Sequence, residues 1–279
     1  MVFPSFFPMF AFCMKVRAKK RLGQHFLNDE SIAHRIVESL LEMNPRGAEC
    51  SVLEVGPGMG VLTKYLLREE GLDFRAVEID GESVEYLVQN YPAIRPHLYE
   101  EDFLRMDLGK IFPGRLAVIG NFPYNISSQI FFKILEDKDR IPFAVGMVQK
   151  EVADRLASPP GNKAYGILSV LLQAWYDIEY LFTVEPGSFN PPPKVRSAVI
   201  RIKRNDRTAL GCDEVLFKRV VKTCFNMRRK TIRNSIKPLL GEYSLTDTGS
   251  PLLDMRPEQL SVEMFVKLSD LLKNNTKIS

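Results

Sequence analysis

An apolar run, a glycine-rich turn and a helix follow one another at residues 51–67, and that order limits the fold more than any other feature of the chain. Ser51-Val52-Leu53-Glu54-Val55 reads as a buried strand and Gly56-Pro57-Gly58-Met59-Gly60 as a tight turn. Leu62, Tyr65, Leu66 and Leu67 then mark a helix. Glycines let the backbone turn sharply and approach a ligand closely. The next strand, Phe74-Arg75-Ala76-Val77-Glu78, ends in an acid whose carboxylate can take both hydroxyls of a ribose. This is a βαβ unit, and it predicts an α/β fold with a Rossmann-like sheet.

Two cofactor classes suit such a unit. The dinucleotide fingerprint is G-x-G-x-x-G. Here the third glycine is Gly60, position 61 is Val, and no Lys or Arg accompanies the turn. That spacing favours S-adenosylmethionine, which has adenosine and a sulfonium but no pyrophosphate. A nicotinamide cofactor stays open as the alternative.

A third strand near His97-Leu98-Tyr99-Glu100 leads into Glu101-Asp102-Phe103. A carboxylate followed by an aromatic ring suits adenine, although a helix-capping Asp looks the same. A fourth run, Ala117-Val118-Ile119-Gly120, leads into Asn121-Phe122-Pro123-Tyr124 and then a helix through Gln129–Leu135. Ligands in open α/β sheets sit beyond the carboxyl ends of strands, so the tetrapeptide is expected at a site rim. Asn121 offers a carbonyl acceptor and two amide donors. Pro123 holds Phe122 extended, which lets the Phe122 carbonyl point outward. Tyr124 supplies a flat ring with a polar tip. Two acceptors and a ring can hold a planar base by its exocyclic amino group; a plain strand-to-helix loop is the bland alternative.

The 279 residues, 45% hydrophobic and 26% charged, suit one large domain and a small one. Residues 1–14 are read as an apolar extension, with Met14 preferred as the true start and a real apolar arm as the alternative; the stretch is too short to span a bilayer as a helix and lacks the basic start of a signal peptide. Domains are expected over 15–204 and 205–279. The net charge of +4 is a weak pointer to an acidic partner, and its distribution says more. Lys15, Arg17, Lys19, Lys20 and Arg21 form a basic arm with no acid before Asp29. The arm ends in Leu22-Gly23-Gln24-His25-Phe26-Leu27-Asn28, and a helix from Asp29 shows Ile32, Ile36, Val37, Leu40 and Leu41 on one face. From Val215 to Leu240 come Lys218, Arg219, Lys222, Arg228, Arg229, Lys230, Arg233 and Lys237 with no acid among them. Such a run needs a counter-charge, and phosphate is the natural one.

Phe143–Val148 reads as a strand, Glu151–Leu156 and Tyr165–Trp175 as helices, and Tyr180–Val184 with Ser197–Ile202 as a last pair of strands. Beyond Asn205 the pattern is helical. Cys13, Cys50, Cys212 and Cys224 make no Cys-x-x-Cys pair, and His25, His34 and His97 are scattered, so neither a metal site nor a disulfide framework is visible. This suits a reducing cytoplasm.

From about Lys19 to the C-terminal helices the chain resembles the KsgA-type small-subunit rRNA adenine N6,N6-dimethyltransferases. Four segments carry the resemblance: Leu22–Leu27, where the family has Asn or His at position 25; Glu54–Gly58; Asn121–Ser127; and Ser188-Phe189-Asn190-Pro191-Pro192-Pro193-Lys194-Val195-Arg196-Ser197. The resemblance implies an S-adenosylmethionine-dependent domain and a small C-terminal all-helical domain that grips rRNA. It implies cofactor contacts at His25, Leu27, Gly56, Gly58, Glu78, Asp102 and Asn121, with Asn121 to Tyr124 catalytic. Tyr124 and Phe189 would stack on the target base, and Lys19, Lys20, Arg21, Lys222, Arg228, Arg229, Lys230 and Arg233 would meet RNA. The implied substrate is a pair of adjacent adenosines in the 3′-terminal hairpin of 16S rRNA, in the small (30S) subunit, modified by a cytoplasmic monomer with no membrane partner. The alternatives are a 23S rRNA adenine methyltransferase of the macrolide-resistance type, or a ribosome-assembly factor without catalysis.

The chemistry follows from the residues. Adenine N6 is a poor nucleophile because its lone pair is conjugated with the ring. Acceptors at Asn121 and Phe122 would take its two protons and free the lone pair for attack on a methyl group. Positioning supplies much of the rate in such a displacement.

Overall fold

Seven strands form one mixed sheet in the computed structural model, which describes residues 16–44 and 50–275. A short arm strand, β1 (Phe26–Leu27), precedes α1 (Glu30–Leu41). Then come β2 (Ser51–Val55), α2 (Thr63–Leu66), β3 (Phe74–Glu78), α3 (Gly81–Asn90), β4 (Leu98–Glu100), α4 (Leu108–Ile111), β5 (Leu116–Asn121), α5 (Ser127–Glu136), β6 (Phe143–Gln149), α6 (Lys150–Leu156) and α7 (Ile167–Gln173). They are followed by β7 (Tyr176–Val184), β8 (Phe189–Asn190), β9 (Ser197–Arg204), α8 (Glu214–Asn226), α9 (Ile232–Ser235), β10 (Tyr243–Leu245), α10 (Val262–Asp270) and β11 (Leu272–Asn274). The expected start at Met14, the residues before it and Lys15 lie outside the described residues.

The strand order is β4-β3-β2-β5-β6-β9-β7. The chain steps outward from β2 to β3 and β4, jumps back to β5, and continues to β6, all in parallel. β9 runs antiparallel between β6 and β7. The order therefore reverses between β2 and β5, and the crevice beyond their carboxyl ends is where such sheets hold ligands.

Both faces of the sheet are covered, which is why its strands read as continuous apolar runs. Val52 of β2 packs with Ile36, Val37 and Leu40 of α1. Its neighbours Leu53 and Val55 belong to the opposite core, with Ile130, Phe131 and Ile134 of α5. α1 starts where the sequence puts it because the Asp29 carboxylate accepts from the Ser31 and Ile32 N–H groups.

Two boundaries differ from expectation. β7 begins at Tyr176, because Tyr176 to Val184 pair along β9, and α7 is correspondingly short. Beyond Arg204 the chain is mostly helical but also carries the antiparallel pair β10–β11, of three residues each. The sheet stops at Arg204 while the core does not: Phe217, Val220 and Cys224 of α8 and Phe265 of α10 join the same cluster as α5 and α7. Phe225 bridges the two regions, 6.3 Å from the Tyr165 ring and 5.9 Å from Phe265. Among the described residues no helix is long and apolar enough to cross a membrane.

Candidate active site

The turn after β2 and the tetrapeptide after β5 face one another across the crevice, and arm residues Leu22–Leu27 form its third wall. Several bonds hold the arm in place. β1 pairs with β8, Phe26 opposite Asn190 and Leu27 opposite Phe189. Asn28 N–H donates to the Ser188 carbonyl at 2.9 Å. His25 Nδ1 donates to the Pro191 carbonyl at 2.9 Å, since a carbonyl can only accept. Asn125 Nδ2 donates to the Arg21 carbonyl at 3.1 Å. Gly58 lies in the left-handed region (φ 55°), and a Cβ there would sit 3.0 Å from the Phe26 ring. A side chain at position 58 would push the arm off the turn.

Glu54, Glu78, Glu101 and Asp102 line the crevice, and three of them have defined partners there. Glu78 is buried, and its carboxylate accepts from the Ile79 and Asp80 N–H groups, both at 2.9 Å, and from Gly58 N–H at 3.1 Å. It fastens the glycine turn to the end of β3. Burial raises its pKa against the pull of those three N–H groups. Asp102 combines both roles foreseen for it: it lines the crevice, and Oδ1 caps the local turn by accepting from Leu104 N–H at 3.0 Å. Glu54, for which the sequence pattern suggested no role, is 1% exposed and accepts from Thr63 Oγ1 at 2.6 Å. A lone acid inside an apolar strand was the available signal.

Burial pushes the Glu54 carboxyl up to about 8, the Thr63 hydroxyl pulling it down and the Glu78 charge adding to the rise. The unfolded chain releases this proton near pH 4.5, whereas the fold keeps it to about 8. Between those values the native state binds more protons, so stability falls as pH rises through this window. Glu54→Gln keeps the acceptor for Thr63 and removes the charge. Wild type and variant should have similar Tm near pH 5 and diverge in favour of the variant by pH 9, by on the order of a few kcal/mol. Parallel Tm curves from pH 5 to 9 would contradict this.

The tetrapeptide is set by a slot in the sheet. Gly120 of β5 lies opposite Gly146 of β6. A Cβ on Gly120 would meet the Phe122 ring at 2.9 Å, and one on Gly146 would meet it at 2.3 Å. The ring fills the space these glycines leave and is fully buried, edge-on to Phe131 at 5.9 Å. Phe122 is thus the anchor of the loop, and only its backbone remains for chemistry. Glycine inside a strand pattern was the signal for this close approach. Asn121 Nδ2 donates to the His25 carbonyl at 2.9 Å. A carbonyl can only accept, so this bond fixes the amide and leaves Oδ1 as an acceptor. Among the described residues nothing donates to the Phe122 carbonyl. Tyr124 lies with its ring 5.1 Å from that of His25, and its hydroxyl bonds to Ser197 Oγ. Burial raises the Tyr124 pKa, so the phenol stays neutral.

The sequence profile of the ribosomal RNA adenine dimethylases matches residues 15–274. The chain belongs to the ribosomal RNA adenine dimethylase family. It is 61% identical to ribosomal RNA small subunit methyltransferase A of Parabacteroides distasonis, over 91% of this chain and 93% of that protein. It is 57% identical to the Bacteroides thetaiotaomicron protein of the same name, over 94% and 96%. Among solved structures, 23S rRNA methyltransferase ErmE is 26% identical and superposes with a TM-score of 0.63, covering 88% of this chain and 99% of that one. A dimethyladenosine transferase of Plasmodium falciparum shares the fold, with a TM-score of 0.70 at 22% identity over 89% and 99%.

Several expected site residues of this dimethylase sit elsewhere. Phe189 is not a free stacking face: it pairs with Leu27 in the arm ladder, is 3% exposed, and packs in the core beside Val184 and Val199. Lys19 is not free for phosphate, because its ammonium pairs with Asp80 and with Glu82, the latter at 3.0 Å. Three arginines of the basic run from Lys218 to Lys237 are neutralised by acids that come later in the chain. Arg219 pairs with Glu242, Arg228 with Glu258 at 3.6 Å, and Arg233 with Asp254 at 2.8 Å. Lys20, Arg21, Lys222, Arg229 and Lys230 are exposed and make no ion pair among the described residues.

Proposed function

We propose that the chain transfers methyl groups from S-adenosylmethionine to N6 of two adjacent adenosines in the 3′-terminal hairpin of 16S rRNA. It would dimethylate each during assembly of the small (30S) subunit, as a cytoplasmic monomer. The observation that carries this reading is the fixed Asn121 amide, whose Oδ1 is an acceptor at the mouth of a nucleoside-sized crevice.

The crevice residues suit the cofactor. Glu78 keeps lone pairs beyond its three backbone bonds for ribose hydroxyls, and Ile79 beside it is 55% exposed, an uncovered apolar surface for a purine. Asp102 offers an acceptor for the adenine amine, and His25, Leu27, Gly56 and Gly58 complete the walls. S-adenosylmethionine, once bound, supplies an electrophilic methyl on a sulfonium. Asn121 Oδ1 and the Phe122 carbonyl accept the two N–H protons of the target amine and draw its lone pair out of conjugation. Tyr124 offers its ring to the base, which leaves its stack at a few kcal/mol, and stacking returns about 1–3 kcal/mol. No strong base is required, since the methylated nitrogen is cationic and sheds a proton readily.

Incubating unmodified small subunits with labelled S-adenosylmethionine tests this, with label expected at N6 of adenosines in 16S rRNA. Binding without incorporation would leave an assembly factor, and label in the 23S rRNA of large subunits incubated in parallel, with none in 16S rRNA, would indicate the other methyltransferase class. RNA grip should rest on the unpaired cations. The Arg229→Ala, Lys230→Ala double variant should lower the salt slope of RNA binding by roughly one for each phosphate the two side chains neutralise, with an unchanged Tm. An unaltered slope in filter binding across a salt series would remove these two residues from the interface.

A further inference from the structure

We propose that Ser197 is a positioning residue for methyl transfer: its buried hydroxyl pins the Tyr124 ring at the orientation in which the target adenine meets it. This rests on the proposed role of Tyr124 as the face that receives the base.

Ser197 opens β9, whose neighbours stand on both sides: Ser197 lies opposite Gln149 of β6 and opposite Val184 of β7. The adjacent Arg196 carbonyl is held by Lys150 N–H at 2.9 Å. The side chain therefore stands on a fixed platform. It is fully buried, and the residues after it, Ala198, Val199 and Ile200, are apolar and buried too. A hydroxyl in such a place costs free energy unless it is bonded. Its side-chain partner among the described residues is the Tyr124 hydroxyl. The bond thus gives this hydroxyl a use that lies in the crevice and not in the core.

The mechanical effect follows. The Tyr124 ring is attached to the loop at Cβ and held at its far end by Ser197, so it cannot swing about its first side-chain torsion without breaking the bond. The other ring close to it is the imidazole of His25, at 5.1 Å and 32°, itself tied to Pro191. Phe189, the other expected stacking ring, is packed away. The orientation of the base therefore depends on Tyr124, and the orientation of Tyr124 depends on Ser197.

A double-mutant cycle tests the proposal in the full-length enzyme with small subunits as substrate. Ser197→Ala should lower kcat about five- to tenfold, the loss of one ordinary hydrogen bond, with the KM for S-adenosylmethionine unchanged. Tyr124→Phe, which keeps the ring and removes the hydroxyl, should lose a similar factor. The double variant should be no slower than either single one. Additive losses, or a loss confined to the cofactor KM, would overturn the proposal. If Ser197→Ala does not fold, Tyr124→Phe decides alone, and full activity of that variant overturns it. Tyr124→Ala separates this proposal from the reading beneath it: full activity there would remove the ring from the reaction altogether.

Discussion

Asn121→Ala should slow the first methyl transfer to an adenosine about 10²-fold and the second by distinctly less. The magnitude is that of removing one fixed hydrogen-bond partner from a reacting group. The asymmetry comes from counting protons. An unmodified N6 carries two N–H groups, and two acceptors, Asn121 Oδ1 and the Phe122 carbonyl, can take them. After one transfer a single N–H remains, so one acceptor is idle in the second step whether or not Asn121 is present. The variant also loses the strut from Nδ2 to the His25 carbonyl, 2.9 Å long, and with it part of the hold on the arm. Rates should therefore be measured in single turnovers at saturating cofactor, on unmodified and on singly methylated RNA. Equal losses on the two substrates would refute the asymmetry.

Gly146→Ala should be among the most damaging single methyl groups that can be added to this chain. Its Cβ would lie 2.3 Å from Phe122 Cε2 and 2.8 Å from Cδ2, in a slot closed on the other side by Gly120 and below by Phe131. Overpacking of this kind costs about 1–3 kcal/mol, which at ~2–4 °C per kcal/mol is a visible fall in Tm. The larger effect should be on rate. The ring can relieve the clash only by lifting out of the slot, and it carries Asn121 and the Phe122 carbonyl on the same stretch of backbone. A displacement of about 1 Å at such groups costs about 10²-fold. Adding Phe122→Leu should relieve the clash and return part of both Tm and rate. If Gly146→Ala alone matches wild type in both, the slot does not position the loop.

Much of this arrangement was legible in the residues, because the signals were local. Apolar runs bounded by glycine turns gave β2, β3 and β5, and the acids at strand ends gave Glu78 and Asp102 as crevice residues. The cap at Asp29 gave the start of α1. What stayed hidden depended on partners distant in sequence. The basic run from Val215 to Leu240 looked unbalanced because Glu242, Asp254 and Glu258, which neutralise three of its arginines, follow it. Lys19 looked like a phosphate ligand because its partners are distant in sequence, Asp80 on the turn after β3 and Glu82 in the first turn of α3. Phe122 and Phe189 were both placed among the site residues, yet one ring anchors the loop from below and the other packs under the arm. Motif membership marks which residues belong together, but not which of them point inward. The three-residue strands β10 and β11 are too short to show any alternation.

The pairing of β1 with β8 has a consequence for how the molecule comes into being. His25 and the Pro191 carbonyl that it bonds are 166 positions apart. As the polypeptide leaves the ribosome, the glycine turn and its neighbouring strands are finished long before the segment that roofs them has been translated. Contacts of such wide separation are also the slowest to close. A nascent chain stopped short of Ser188 would have the floor of the pocket and an arm still tied to Asn121 and Asn125, its strand β1 without the partner β8. The capacity to capture a nucleoside thus belongs to the completed polypeptide, and any fragment made to study it must extend past Pro191.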